Sequence, residues 1–159
     1  YFNICSSSLR KDKQFTMKVL EKNDEAVYYM DQSFFNDKDV VLLATKVASY
    51  SVFDDVSNDL LRDNEFMIKV FEYCMQDRNS DKRIPSKVFL VNKDISEAMQ
   101  KFDKNLWNHI SKRGTSRSIV VSDSSLTFRY LIAYLDEKEL KENMVNSPIN
   151  TQKNKTMKF

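Results

Sequence analysis

Apolar and acidic residues in the first half of the chain recur in a fixed frame. The chain reads LRKDKQFTMKVL from Leu9, FFNDKDVVLLAT from Phe34 and LLRDNEFMIKVF from Leu60, at offsets of 25 and 26 residues. In this register Leu9, Phe34 and Leu60 coincide. So do Asp12, Asp37 and Asp63, then Phe15, Val40 and Phe66, then Val19, Ala44 and Val70. An Asp ahead of an apolar run accepts hydrogen bonds from the free amides of a helix's first turn, and the apolar places that follow fall on one helix face. Each copy therefore predicts a helix start. The period leaves room for one helix of about 11 residues and a short second one, so neighbouring copies are expected to stack and share a core. The predicted architecture of residues 1–78 is a short α-solenoid.

The second element of the first copy carries Asn23, Ala26 and Tyr29. An Asp-led helix followed by an Asn-x-x-Ala-x-x-Tyr element resembles the helical repeats of the domain-of-unknown-function family numbered 4116, over residues 9–75. The second copy keeps Lys46 and Phe53 but lacks the Asn and Ala, and the polar run from Gln76 to Lys82 interrupts the third. The resemblance implies stacked helices and brings no activity with it.

Beyond the repeat, DRNSDKRIP from Asp77 to Pro85 is charged and ends in proline, which suits a connector over 79–86. KVFLV at 87–91 and SIVV at 118–121 are short, apolar and β-branched, and read equally as strands or as buried helix. Asp94 followed by Glu97 matches a capping box, and Ile95, Met99, Phe102, Leu106 and Ile110 recur at helical spacing, predicting a helix over 95–112. Lys112 and Arg113 suit its C-terminal dipole and Gly114, the single glycine, marks its stop. Asp123, Ser124 and Ser125 offer N-caps to a last helix with Phe128, Leu131, Ile132 and Leu135 inward. Residues 87–145 thus read as further helices packed on the repeat, and 146–159 as a polar, basic tail. The fold class is all-α, with room for one or two short strands near 87–91 and 118–121.

Composition narrows the picture. One Gly and two Pro among 159 residues disfavour architectures that need positive φ at hairpin turns and loops that need glycine to approach a phosphate. Eleven Phe and seven Tyr are too many for a disordered chain. A net charge of +2 gives no global attraction to polyanions, so any such binding is local. No apolar stretch approaches the ~20 residues of a membrane span. Cys5 and Cys74 match no metal spacing, and the expected setting for them is reducing and intracellular.

Candidate chemistry concentrates in one stretch. Lys101, Lys104, Trp107, Asn108, Lys112, Arg113 and Arg117 combine cations with an aromatic ring and an amide, a set that can follow phosphates and stack a base. Against this stands a solvated helix face with Trp107 packed into the core. Tyr28, Tyr29 and Phe53 likewise divide between a groove lining and core packing. His109 is the single histidine and has no nucleophile elbow to serve, so no catalytic residues, metal or cofactor are expected. The leading reading is a non-catalytic protein–protein interaction module or subunit of a larger assembly. The alternative is nucleic-acid or ribonucleoprotein binding through 101–117 and the basic tail.

Overall fold

The computed structural model describes residues 5–76, 82–114, 118–121 and 124–146. In chain order the α-helices are α1 (Ser7–Arg10), α2 (Lys13–Leu20), α3 (Lys38–Ala48), α4 (Asn58–Arg62), α5 (Asn64–Gln76), α6 (Ser86–Val91), α7 (Lys93–Phe102), α8 (Lys104–Arg113) and α9 (Ser124–Asn146). Short 3-10 segments lie at Asp24–Tyr29, Gln32–Asn36 and Ser49–Asp54. Two strands, β1 (Lys82–Pro85) and β2 (Ser118–Val121), form an antiparallel ribbon with Lys82 opposite Val121 and Pro85 opposite Ser118. The fold is all-α apart from this ribbon.

The three repeat aspartates do what their spacing predicts. Asp12 Oδ1 accepts the Phe15 amide at 2.7 Å, Asp37 Oδ1 that of Val40 at 3.2 Å, and Asp63 Oδ1 that of Phe66 at 3.0 Å. These bonds satisfy amides that a helix start leaves without partners. A second cap precedes each of them by six residues: Ser6, Asp31 and Ser57 accept the amides of Leu9, Ser33 and Leu60. Each unit is therefore a short capped turn, an Asp, and a longer capped helix.

The second half of the unit recurs a fourth time, without the companion cap, beyond the polar run that interrupts the sequence frame. Phe89, Asn92, Ile95 and Met99 take the places of Leu60, Asp63, Phe66 and Val70, and Asn92 Oδ1 caps α7 through the amides of Asp94 and Ile95 at 2.9 and 3.1 Å. The charged insertion before β1 lengthens the interval and hides the frame.

The residue after each cap reaches the following unit. Lys13 pairs with Asp37 at 2.9 Å and Asp39 at 2.8 Å, and Lys38 pairs with Asp63. Asn64 donates to Asp94 at 2.8 Å and accepts from Asn92 at 3.0 Å. Partial burial opposes ionisation of Asp37 and Asp63, but the lysine bond and the capped amide outweigh it and hold both carboxyls below their usual range. Helix α3 packs between α2 and α5, and α9 packs across α5 and α7. One apolar cluster runs through residues 1–78 and 87–145 alike, with Phe71 stacked on Phe128 at 5.2 Å where α5 meets α9.

Two expectations are corrected, and one open alternative, strand or helix at 87–91, is settled as helix. The helix over 95–112 is two helices, because Asp103 is extended (φ −144°, ψ 96°) and caps α8 by accepting the Asn105 and Leu106 amides, both at 2.9 Å. Asp94 and Glu97 do not form a capping box: Asn92 is the cap, and both carboxylates turn to Lys138. KVFLV at 87–91 lies in α6 and is not a strand, since Pro85 at its start and Asn92 at its end frame a helical turn that buries Val88 and Phe89. The strand instead falls in the described part of the connector, Lys82–Pro85, and pairs with the SIVV segment. Gly114, at φ 68°, stops α8 as expected.

Two stability changes follow. Asp63→Ala is expected to lower unfolding free energy by about 1 kcal/mol through loss of the cap, and Asp63→Asn, which keeps an acceptor, to recover most of it. Ser86 is fully buried and its hydroxyl has no hydrogen-bond partner, because Pro85 has taken the cap place. Ser86→Ala is therefore expected to raise stability by about 1 kcal/mol. Denaturant midpoints at unchanged m-value measure both.

Candidate interaction surfaces

The 3-10 segments build a pocket that the α-helices do not. Along Asp24–Tyr29, Ala26 and Val27 are buried while Glu25 and Tyr28 face outward. Tyr28 is 69% exposed. It stands at the mouth of a pocket of about 240 Å³ floored by Val27, Met30, Phe35 and Val52, with Gln32 and Asp55 supplying polar edges. Asp31 is held below the usual carboxylate range by the Ser33 hydroxyl and amide. Asp55 is the acidic side chain among the residues that line this pocket. Of the three aromatics considered for a groove, Tyr28 lines the pocket, Tyr29 is exposed and Phe53 is core.

The basic stretch is divided by the break at Asp103. Lys101 lies on α7, where Glu97 pairs with it at 2.9 Å and the Tyr134 hydroxyl lies at 3.3 Å. On α8, Lys104, Asn108 and Lys112 follow one another at helical spacing on the water-facing side, joined by His109 and Arg113. Trp107 is half-buried against the core beside Leu106, near buried Ile110. Among the described residues Lys104, Lys112 and Arg113 have no ion-pair partner, and α8 itself contains no acidic side chain. Arg117, the loop at 115–117 and the basic tail lie outside the described residues.

The strongest electrostatic cluster was not anticipated as one. Lys138 of α9 bridges Asp94 and, at 3.0 Å, Glu97, while Glu97 also holds Lys101. Bonds from Lys101, then Lys138 and Tyr134, bring the Glu97 carboxyl down to about 2. The Asp94 bond chiefly raises Lys138 well above its ordinary value, with burial opposing it. With Asn64 and Asn92 this network joins α5, α7 and α9 and leaves no carboxylate poised near neutrality. Among the described residues no group of three His, Cys, Asp or Glu is placed to hold a metal ion, and no helix is long and apolar enough to cross a membrane.

No protein-family model, curated protein or solved structure matches the chain. The functional reading therefore rests on these surfaces.

The network fixes a pH response. Glu97 and Asp94 both have folded-state values below their unfolded ones, so both stabilise at neutral pH and lose that effect in acid; for Glu97 the loss runs from about pH 4.5 toward about 2. Unfolding free energy measured between pH 5 and 2 is expected to fall across that window, and Glu97→Gln is expected to flatten the fall.

Proposed function

We propose that the chain is a non-catalytic protein-interaction module built on a short stack of capped helical units, of the kind its resemblance to the family numbered 4116 implies. The observation that carries this reading is Tyr28, largely exposed beside a pocket lined by Val27, Met30, Phe35 and Val52 with Asp55 at its edge. An exposed aromatic beside a pocket is the usual form of an energetically dominant contact, and two-χ tyrosine pays little entropy on docking. Asp55 favours a neighbouring Lys or Arg on the partner. The anchor of the partner is thus a hydrophobic residue beside a cation.

A second reading rests on α8. Lys104, Asn108 and Lys112 span about 12 Å along its axis, with Arg113 beside them and no acidic side chain on the helix to compete. That row suits phosphates, and binding through it would weaken steeply with salt.

Tagged chain recovered from its native cells separates the two, compared as wild type, Tyr28→Ala, and Lys104→Glu/Lys112→Glu, with and without nuclease. Loss of stoichiometric protein partners with Tyr28→Ala alone is the expected result, at about 2 kcal/mol or more in purified form. Loss with nuclease and with the α8 pair moves the function to nucleic acid. Partners that survive every change would overturn both.

A further inference from the structure

The three 3-10 segments that wall the Tyr28 pocket are not held alike. Asp24–Tyr29 and Gln32–Asn36 start at Asn23 and Asp31, whose side chains accept the amides of Glu25 and Ser33 at 3.1 and 3.0 Å. Ser49–Asp54 follows Ala48, whose side chain offers no cap. Hydrogen bonds in a 3-10 turn are poorer in geometry than those of an α-helix. The wall that supplies Val52 and Asp55 to the pocket therefore depends on bonds from outside it.

Those bonds lie at its far end. The last carbonyls of a helical segment lack partners within it. Half-buried Lys87 of α6 supplies the donor: its ammonium donates to the Asp54 carbonyl at 3.3 Å and to the Val56 carbonyl at 2.5 Å. Asp55, at the edge of the pocket, sits between these two clamped carbonyls, so the direction of its side chain depends on the same bonds. One residue beyond, the Ser57 amide donates to the Phe35 carbonyl at 3.0 Å and the Ser57 hydroxyl to Asn36 at 2.7 Å. Residues 52–57 are thus fastened to the Gln32–Asn36 wall on one side and to α6 on the other, with buried Val56 between.

We infer that Lys87 is the positioning residue of the Tyr28 pocket, its ammonium holding the Val52–Asp55 wall against Phe35 through the Asp54 and Val56 carbonyls. This role rests on the pocket being the partner site. The site is then not complete within residues 9–75, because its clamp comes from the fourth unit, 33 and 31 positions from the carbonyls it holds. Both bonds go to main-chain oxygens, so they are independent of the side chains at 54 and 56.

Amide hydrogen exchange in the full chain, followed residue by residue by NMR, reads the clamp without any partner. Lys87→Met keeps the length of the stem and removes the ammonium. It is expected to speed exchange at the Asp55 and Ser57 amides, which bond Val52 and Phe35, by about tenfold or more, as loss of a charged hydrogen bond predicts. Lys87→Arg, which keeps a cationic donor, is expected to restore most of the protection. Asp103→Ala, which removes the cap of α8, is expected to leave these two amides as in wild type, separating a local clamp from a general loss of stability. A synthetic peptide with a central Leu beside an Arg is the binding probe. Its dissociation constant is expected to rise about tenfold in Lys87→Met and to return with Lys87→Arg. Exchange unchanged in Lys87→Met, protection not restored by Lys87→Arg, or an equal change in Asp103→Ala would each overturn the inference. So would peptide binding that survives Lys87→Met but is lost with Tyr28→Ala. A peptide that binds wild type and Tyr28→Ala equally, or neither, would instead refute the reading of the pocket, and the exchange result would still decide whether Lys87 holds the wall.

Discussion

Every long helix before α9 whose start is described here begins at a side chain that accepts its first amides, and the rest of the arrangement depends on that bond. A carboxylate or amide at such a place fixes where the helix begins to within one residue, and so fixes which side chains face inward. Because the caps recur at similar intervals, the inward rows of α2, α3, α5 and α7 fall into a common register. The residue after each cap then has a defined reach to the next one, and Lys13, Lys38 and Asn64 use it. These partly exposed links add little energy alone. Their effect is to make neighbouring units agree in position.

The first three units were legible because Asp and apolar places recur without insertion. Their companion caps at Ser6, Asp31 and Ser57 leave no such signal, since Ser and Asp alternate in that place and short capped turns have no periodicity of their own. The fourth unit was hidden by an insertion and by Asn standing for Asp. The helix over 95–112 was read as continuous because Met99, Phe102, Leu106 and Ile110 keep helical spacing across Asp103, and spacing cannot reveal an extended residue that serves as the cap of a second helix. KVFLV illustrates the opposite limit: four apolar residues, two of them β-branched, form a helix when flanking residues and burial decide.

The candidate surfaces divide in the same way. The α8 cations were visible in the sequence as composition, yet the break removes Lys101 from their company and gives it to Glu97. Trp107 went largely to packing, as the plainer expectation had it. The Tyr28 pocket is legible as two adjacent tyrosines and no further, because its walls come from separate 3-10 segments, Asp24–Tyr29, Gln32–Asn36 and Ser49–Asp54, that no local spacing brings together. The Lys138 cluster unites α7 and α9 across more than forty positions, and local spacing carries no record of such a pairing.

The ribbon between β1 and β2 has an effect of another kind. By pairing Pro85 with Ser118 it ties together the two ends of everything from 86 to 117, so α6, α7 and α8 form an excursion closed at its base. The helices on either side of that base, α5 and α9, pack on each other directly. The cost of closing a loop grows only by about 0.6 kcal/mol per doubling of its length. The stem thus adds closure at small cost, while α6 and α7 within the excursion stay fixed by the same kind of links as the early units, through Asn64 to Asn92 and Asp94 and through Lys138 to Asp94.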